Sequence, residues 1–299
     1  MKQKIIDLHS HTTASDGSLS PSDLVLLANN KGLSALAITD HDTVSGIKEA
    51  IEKAAELGDI EVIPGVEISA DYSGEIHILG YFLNIHDKDL KSSLEDLRRI
   101  RDLRNSGMIK KFEKHNIKIT IEELHGEAKG ESIARPHFAN ILVNKGLVKD
   151  HKTAFNKYLG DESGICFVPK EKIHPEKAIS IIRNAGGIAV LAHPVHLKYK
   201  TRTKLKNFLY ELKDFGLSGL EVFHPDHSEI NTKLYLDMAN DIGLCITGGS
   251  DYHGKFKPYV DIGVGRGNLS VPYELLEKLK IECKMLSESK LIKQIKSID

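Results

Sequence analysis

From Lys4 onward the chain alternates short apolar runs with longer stretches of helical period. "KIIDLHSH" predicts a strand, and "SPSDLVLLANNKG" predicts a helix with Ser20 as N-cap, Pro21 in the first turn and Gly32 at the end. "LSALAITDHD" reads as a short buried strand, and "TVSGIKEAIEKAAELG" as a helix closed by Gly58. "EVIPGVEIS" and "EIHILGYF" are further strands. Such alternation predicts parallel strands joined by crossover helices. It stops at residue 88. Residues 88–175 carry charged, helix-period sequence such as "LKSSLEDLRRIRDLRNSGMIKKFEKH" and few strand signals, which predicts a helical insertion between barrel parts 1–87 and 176–299. Alternation resumes with "PEKAISIIRNAGG" as helix and "IAVLAHP", "LSGLEVFHP" and "LCITGGSDYHG" as strands. About seven strand signals of this kind predict an α/β fold, a closed or nearly closed β/α barrel. The amphipathic tail from Val271 is expected to cap it.

Composition narrows the classes. The chain has 299 residues, 40% of them hydrophobic, enough for a sizeable core. A formal net charge of −1 argues against coating long nucleic acid through a basic face, but leaves room for a small phosphorylated ligand held by a few arginines. The cysteines Cys166, Cys245 and Cys283 show no CxxC spacing and read as reduced thiols, so a cytoplasmic location is expected. The first residues show no long apolar run behind a basic start and no stretch of about 18 apolar residues occurs, so neither a signal peptide nor a membrane span is expected.

The polar residues at the ends of the apolar runs change the picture most. His9 and His11 follow "IIDL"; Asp16 comes soon after; His41 follows "LAIT" and Asp40. Glu67 sits in "IPGVEIS", His193 follows "IAVLA", and Asp251 and His253 follow "LCITGGS". In a parallel barrel such positions converge on one face. His77, at the start of "HILGYF", fits this rule less well. Side chains two apart on a strand share a face, so His9 and His11 can reach one ion. A lone histidine is ordinarily a core or surface residue; a set recurring at strand ends is a ligand set. Imidazoles and carboxylates without thiolate suit zinc, manganese or iron. The donors exceed what one tetrahedral ion needs, which points to a cluster of two or three ions with Glu67 as the natural bridging carboxylate. Water held between two such ions is a strong nucleophile at neutral pH.

In this order, "DLHSHTTASDG", "ITDHD", "GVEIS", "IHILGYF", "LAHP" and "GSDYHG" resemble the polymerase and histidinol phosphatase (PHP) family of metal-dependent phosphoesterases, over nearly the whole chain. They are closest to the subgroup of 3',5'-nucleoside bisphosphate phosphatases and 5'-to-3' exoribonucleases. The resemblance implies a distorted seven-stranded (β/α)7 barrel with a helical insertion and three divalent ions, manganese first, with zinc or iron as alternatives. It implies one ion on His9, His11, Glu67 and Asp251, a second on Asp16, His41 and His253, and a third on Glu67, His77 and His193. Asp16 is a histidine in some relatives, which alters the ligand charge at the second position. Asp16, His41, Glu67 and His253 are the implied catalytic residues.

The insertion carries a second signal. "RRIRDLRNSG" places Arg98, Arg101 and Arg104 or Asn105 along one face at helical spacing. "ARPHFAN" places Arg135 and His137 just before another helix. A solvated charged face is the plain alternative for the first run. The resemblance implies instead that Arg101, Arg104, Asn105, Arg135 and His137 bind substrate, and arginine forks do match phosphate oxygens. Ions for one phosphate and arginines for another suit a nucleoside 3',5'-bisphosphate, or the 5' end of short RNA. The rivals are a histidinol-phosphate or other small-molecule phosphatase and a non-catalytic polymerase-accessory module. His224 and His227 are candidates to line the mouth or to protonate a leaving group, and His196 is ambiguous. His86, His115, His125, His151 and His174 are expected to face solvent. "GVGRG" lacks the lysine and spacing of a phosphate-binding loop.

Overall fold

A computed structural model describes residues 3–72, 75–160, 163–169, 171, 173–197, 199 and 201–296. In chain order the strands are β1 (Ile5–Asp7), β2 (Ala35–Ile38), β3 (Glu61–Asp71), β4 (Glu75–Tyr81), β5 (Ile188–Leu191), β6 (Gly219–Phe223), β7 (Cys245–Gly248) and β8 (Val271–Pro272). They form one sheet in the order β7-β6-β5-β4-β3-β2-β1-β8. The sheet curls into a nearly closed barrel. Beyond β1 the Leu8 amide donates to the Gly248 carbonyl at 3.1 Å and the His11 amide to the Tyr252 carbonyl at 2.9 Å. The two-residue β8 pairs with the other end of β1, Ile6 opposite Val271. A strand that short leaves no hydrophobic period to read, and it lies outside the seven longer strands expected from the pattern.

Two strands depart from the expected all-parallel arrangement: the short β8, antiparallel to β1, and β4. β1–β2, β2–β3, β5–β6 and β6–β7 are parallel, but β4 runs antiparallel to both β3 and β5. The cause is chain length. β3 ends at Asp71 and β4 begins at Glu75, whereas a parallel return needs a dozen or more residues. Reversal carries the start of β4 to the end of the barrel where the parallel strands finish, with His77 opposite Ser69. That resolves the position of His77: it reaches the ligand face because its strand runs backwards.

Helix α1 (Pro21–Asn30) starts and stops as its punctuation indicates; α2 (Ile47–Leu57) stops at Gly58 as expected but starts only after Gly46, beyond the "TVSG" at the head of the predicted segment. The Ser20 side chain accepts from the Asp23 amide, and Gly58 closes α2 at φ 81°. α3 (Lys88–Lys114) spans two apolar clusters. Leu90, Leu94 and Leu97 pack against the barrel with Val66, Ile78 and Ile182, and the far end places Met108 and Phe112 in a separate cluster. That second cluster is completed by α4 (Ile121–Glu127), α5 (Arg135–Asn144), α6 (His151–Ala154) and a π turn at Phe155–Leu159, through residues such as Leu124, Phe138, Ala154 and Leu159. α7 (Pro175–Asn184), α8 (Arg202–Asp214) and α9 (Glu229–Ile242) return to the barrel wall. α10 (Glu274–Lys296) sends Leu275, Leu276 and Leu279 into the barrel interior beside Ile6, Leu8 and Val190. Among the described residues no helix is long and apolar enough to cross a membrane.

Candidate metal centre and its cleft

Buried carboxylates build the floor that aims the candidate ligands. The Asp7 side chain accepts from the amides of His9, Ser250 and Gly263, at 3.2, 2.9 and 2.8 Å, so the end of β1 is tied to the loops after β7. Asp40 accepts from the Thr12 amide at 2.8 Å, the Thr12 hydroxyl at 2.7 Å and the Ser15 hydroxyl at 2.6 Å. These bonds fold residues 12–16 back over the barrel mouth and bring Asp16 to His11. Asp251 and His193 sit at positive φ, 52° and 24°, in loops that aim their side chains inward against ordinary backbone preference.

Glu67 lies at the centre. Its Oε2 is 3.4 Å from His9 Nε2, 3.2 Å from His11 Nε2 and 3.2 Å from His41 Nδ1. Its Oε1 is 2.8 Å from His77 Nδ1 and 3.1 Å from His193 Nε2. Asp251 Oδ1 closes the first group, 3.6 Å from His9 Nε2 and 3.4 Å from His11 Nε2. Asp16 stands across from it, 3.5 Å from His11 Nδ1, 3.8 Å from His41 Nε2 and 3.4 Å from His253 Nε2. All the expected ligand residues therefore meet in one patch. His41 faces two ways, towards Asp16 through Nε2 and towards Glu67 through Nδ1.

The donor set suits divalent cations. Among the described residues four groups bring their donor atoms within 4.8 Å of one another: His9, His11 and Asp251; His11, Asp16, His41 and His253; His41, Glu67 and His77; and, at the side of the cluster, His196, His224 and Asp226. His9 Nε2, both ring nitrogens of His11 and His41 Nδ1 are buried without a hydrogen-bond partner, an arrangement that is costly unless the lone pairs meet a cation. Electrostatics points the same way. Burial would raise Glu67, but His41, His77 and His9 hold its carboxyl well below the usual range. Burial likewise opposes ionisation of Asp16, which His253 and His41 override. Burial pushes His41 down to about 3 and His193 to about 4, so both present neutral donors at pH 7. Burial alone would also lower His11, yet Asp251 and Glu67 raise it to about 9; those protons are what a cation displaces.

Glu221 completes the arrangement and was not singled out from the sequence. It lies fully buried in β6, with Oε1 2.9 Å from His9 Nδ1 and Oε2 accepting the His193 amide at 2.7 Å. A carboxylate on Nδ1 places the proton there and leaves Nε2 of His9 for an ion. An acid inside the apolar run "GLEVF" was the signal available. Glu221→Gln keeps the shape but supplies one acceptor for two donors. We expect metal affinity to fall about ten- to a hundredfold, read by competitive titration against a chelating dye; unchanged affinity would remove Glu221 from this role.

The centre floors a cleft of about 1040 Å³ lined by Asp16, His41, His77 and His253, with Arg101, Arg104 and Arg135 around it. Arg101 is buried, its Nη2 2.5 Å from Asp42 Oδ2. Arg135 opens α5 rather than preceding it, with its guanidinium between the rings of Phe155 and Phe167 at 5.9 and 5.7 Å. Asn105 and His137, expected beside the substrate, do not line this cleft. Asn105 is fully buried and brackets the helices, accepting from Arg104 Nε at 3.0 Å and donating to the Ile133 carbonyl at 3.1 Å. His137 is buried and its Nδ1 accepts the Ala134 amide at 3.0 Å, capping α5. A helical period shows which residues share a face, not how far each is covered by the next helix. Arg98 turns to the Asp42 carbonyl at 2.8 Å.

The remaining histidines divide. His86, His115, His125 and His174 are exposed, but His151 is half-buried, lines the cleft and stacks on Phe256 at 5.6 Å. His224 is buried beside Asp251, 3.7 Å from Nε2 to Oδ2, and its Nδ1 accepts the Asp226 amide at 3.1 Å. His227 lies 2.8 Å from the Val222 carbonyl through Nδ1. His196 is exposed and 3.2 Å from Asp226. In "GVGRG", the Gly263 amide donates to Asp7 and Arg266 pairs with Asp226.

Comparison with known proteins places this geometry. The model of the PHP domain matches residues 7–210. The chain is 36% identical over 252 residues to a 5'-3' exoribonuclease of Haemophilus influenzae, covering 84% of this chain and 90% of that one. It is 33% identical over 261 residues to a 3',5'-nucleoside bisphosphate phosphatase of Chromobacterium violaceum, covering 86% and 90%. The crystal structure of a metal-dependent phosphoesterase of Bifidobacterium adolescentis superposes with a TM-score of 0.82 at 29% identity, over 93% of this chain and 96% of that one. With the histidine and carboxylate cluster at the mouth of its α/β barrel, the chain belongs to the PHP domain family and is a phosphoesterase of that family.

Proposed function

We propose that this protein is a phosphomonoesterase that removes the 3'-phosphate of nucleoside 3',5'-bisphosphates, using three divalent cations, manganese first. One observation carries the reading: a single cleft joins the ligand cluster to Arg101, Arg104 and Arg135, which contribute nothing to that cluster. When bound, the ions supply a nucleophile from water and neutralise the phosphoryl oxygens. His9, His11, Glu67 and Asp251 would hold the first; Asp16, His41 and His253 the second; Glu67, His77 and His193 the third. Glu221 fixes the His9 ring, and Asp42 holds Arg101 in the cleft wall. The arginines orient the other phosphate and so align the ester for in-line attack. A substrate with one phosphate, such as histidinol phosphate, offers no second phosphate to these guanidinium groups. The 5' end of short RNA is a second reading, favoured by Lys152, Lys255 and Arg266 along the outer cleft.

The test is a phosphate-release panel with added manganese, comparing a nucleoside 3',5'-bisphosphate, histidinol phosphate and a 5'-phosphorylated short RNA. Preference for histidinol phosphate would end the bisphosphate reading. Arg135→Ala then examines the division of labour. A charge-assisted contact is worth about 1.5–3 kcal/mol, so kcat/KM for the bisphosphate should drop roughly ten- to a hundredfold. Turnover of a simple monophosphate ester should change far less, with metal content unaltered. Equal loss on both substrates would assign Arg135 to the reacting phosphate instead.

A further inference from the structure

Asp251 presents its two oxygens in different directions. Oδ1 faces the cluster, 3.6 Å from His9 Nε2, 3.4 Å from His11 Nε2 and 3.4 Å from His253 Nδ1. Oδ2 carries the Lys257 ammonium at 2.5 Å. Lys257 arrives there because the chain doubles back after the last candidate ligand. Gly254, at φ 65°, opens a short 3-10 turn through Phe256, and a Cβ at Gly254 would collide with Ser18 Oγ. The Lys255 amide donates to Ser18 Oγ and the Lys257 amide to the Gly254 carbonyl, each at 3.0 Å. The turn is thus pinned to the loop that carries Asp16. Its two lysines part company. Lys255 is exposed, with Nζ 5.1 Å from the centre of the Phe256 ring. The Lys257 side chain is 34% exposed and lines the cleft floor beside Asp16, His41 and His253.

We propose that Lys257 is a further phosphate-binding residue of the centre, its ammonium bridging Asp251 Oδ2 and a non-bridging oxygen of the phosphoryl group being cleaved. This rests on the reading of the site as a phosphoesterase centre. An ammonium has three N–H donors on a flexible stem, and Asp251 takes one. The lysine lines the same cleft as Asp16, His41 and His253, where a phosphoryl group must sit to be attacked, so its remaining donors are available to that group. Arg135 stands instead on α5, from the helices that pack over the barrel, and serves a different end of the ligand. An ion pair of purely structural value would gain little from lying in a substrate cleft on a candidate metal ligand.

Lys257→Met and Lys257→Arg test this in the manganese-loaded protein. Manganese content is measured by elemental analysis and inorganic phosphate binding by calorimetric titration, without reference to turnover. Lys257→Met should retain its manganese and bind inorganic phosphate about tenfold more weakly, as expected for loss of one charge-assisted hydrogen bond. Lys257→Arg should recover most of that affinity. Unchanged phosphate affinity in Lys257→Met would overturn the proposal. Loss of manganese alongside phosphate would overturn it too, since Lys257 would then serve only to hold Asp251. Failure of the bisphosphate reading registers separately, in the substrate panel and in Arg135→Ala, and leaves the phosphate titration standing.

Discussion

Replacing His9 and His11 together with alanine should leave a folded barrel that has lost at least one metal ion and nearly all turnover. The two rings converge on Glu67 Oε2, at 3.4 and 3.2 Å, and on Asp251 Oδ1, at 3.6 and 3.4 Å. Without them the first group keeps only carboxylates. A cation that supplies the nucleophile and neutralises the phosphoryl oxygens is worth several kcal/mol of transition-state stabilisation. A fall of at least about a thousandfold in kcat/KM corresponds to about 4 kcal/mol. The barrel should survive because its interior is closed by Ile6, Leu8, Val190 and Leu276, which remain in place. Circular dichroism would report the fold and elemental analysis the ion. Full activity with full metal content would sink the assignment of these residues as ligands.

Glu67→Gln should cost more metal than the loss of any ligand that serves one position. The carboxylate divides its oxygens, Oε2 towards His9, His11 and His41 and Oε1 towards His77 and His193. An amide keeps one neutral acceptor and turns an NH₂ group towards the other set of imidazoles. Both the charge and one donor atom go. His77→Ala removes one donor from one side only. Elemental analysis of the two purified variants should show the larger deficit in Glu67→Gln, with turnover reduced by at least about a thousandfold, or about 4 kcal/mol. Equal deficits would mean that Glu67 serves a single ion.

The legibility of this molecule in its sequence follows from the range of the interactions involved. The i, i+2 spacing of His9 and His11 is a local property of an extended chain, so their shared direction could be read directly. His41, His193, Asp251 and His253 each follow an apolar run, and barrel topology carries such positions to one mouth, whereas Glu67 lies within β3. His77 broke that rule on paper because strand direction depends on the length of the preceding connection, and the link from β3 to β4 is too short for a crossover. Arg101 and Asn105 look alike on a helical wheel. Their surroundings differ, since Arg101 lines the cleft on Asp42 while Asn105 is fully covered against the Ile133 carbonyl. Lys257 gave no signal, because a lysine after "DYHGKF" resembles any surface lysine until the turn at Gly254 brings it to Asp251.

By itself the sequence determined the alternation of strands and helices, the residue types able to hold divalent cations and their order along the chain. Periodicity, capping residues and ligand chemistry are written within a few residues of one another. Only the tertiary structure decided that the oxygens of Glu67 face separate groups of imidazoles, that Glu221 stands behind His9 and His193, and that Asp40 folds Asp16 back over the mouth. These pairings join residues far apart in the chain. Their geometry is set by the closure of the barrel and by the need of each buried donor and carboxylate for a partner, a requirement that acts through space and leaves no spacing to read.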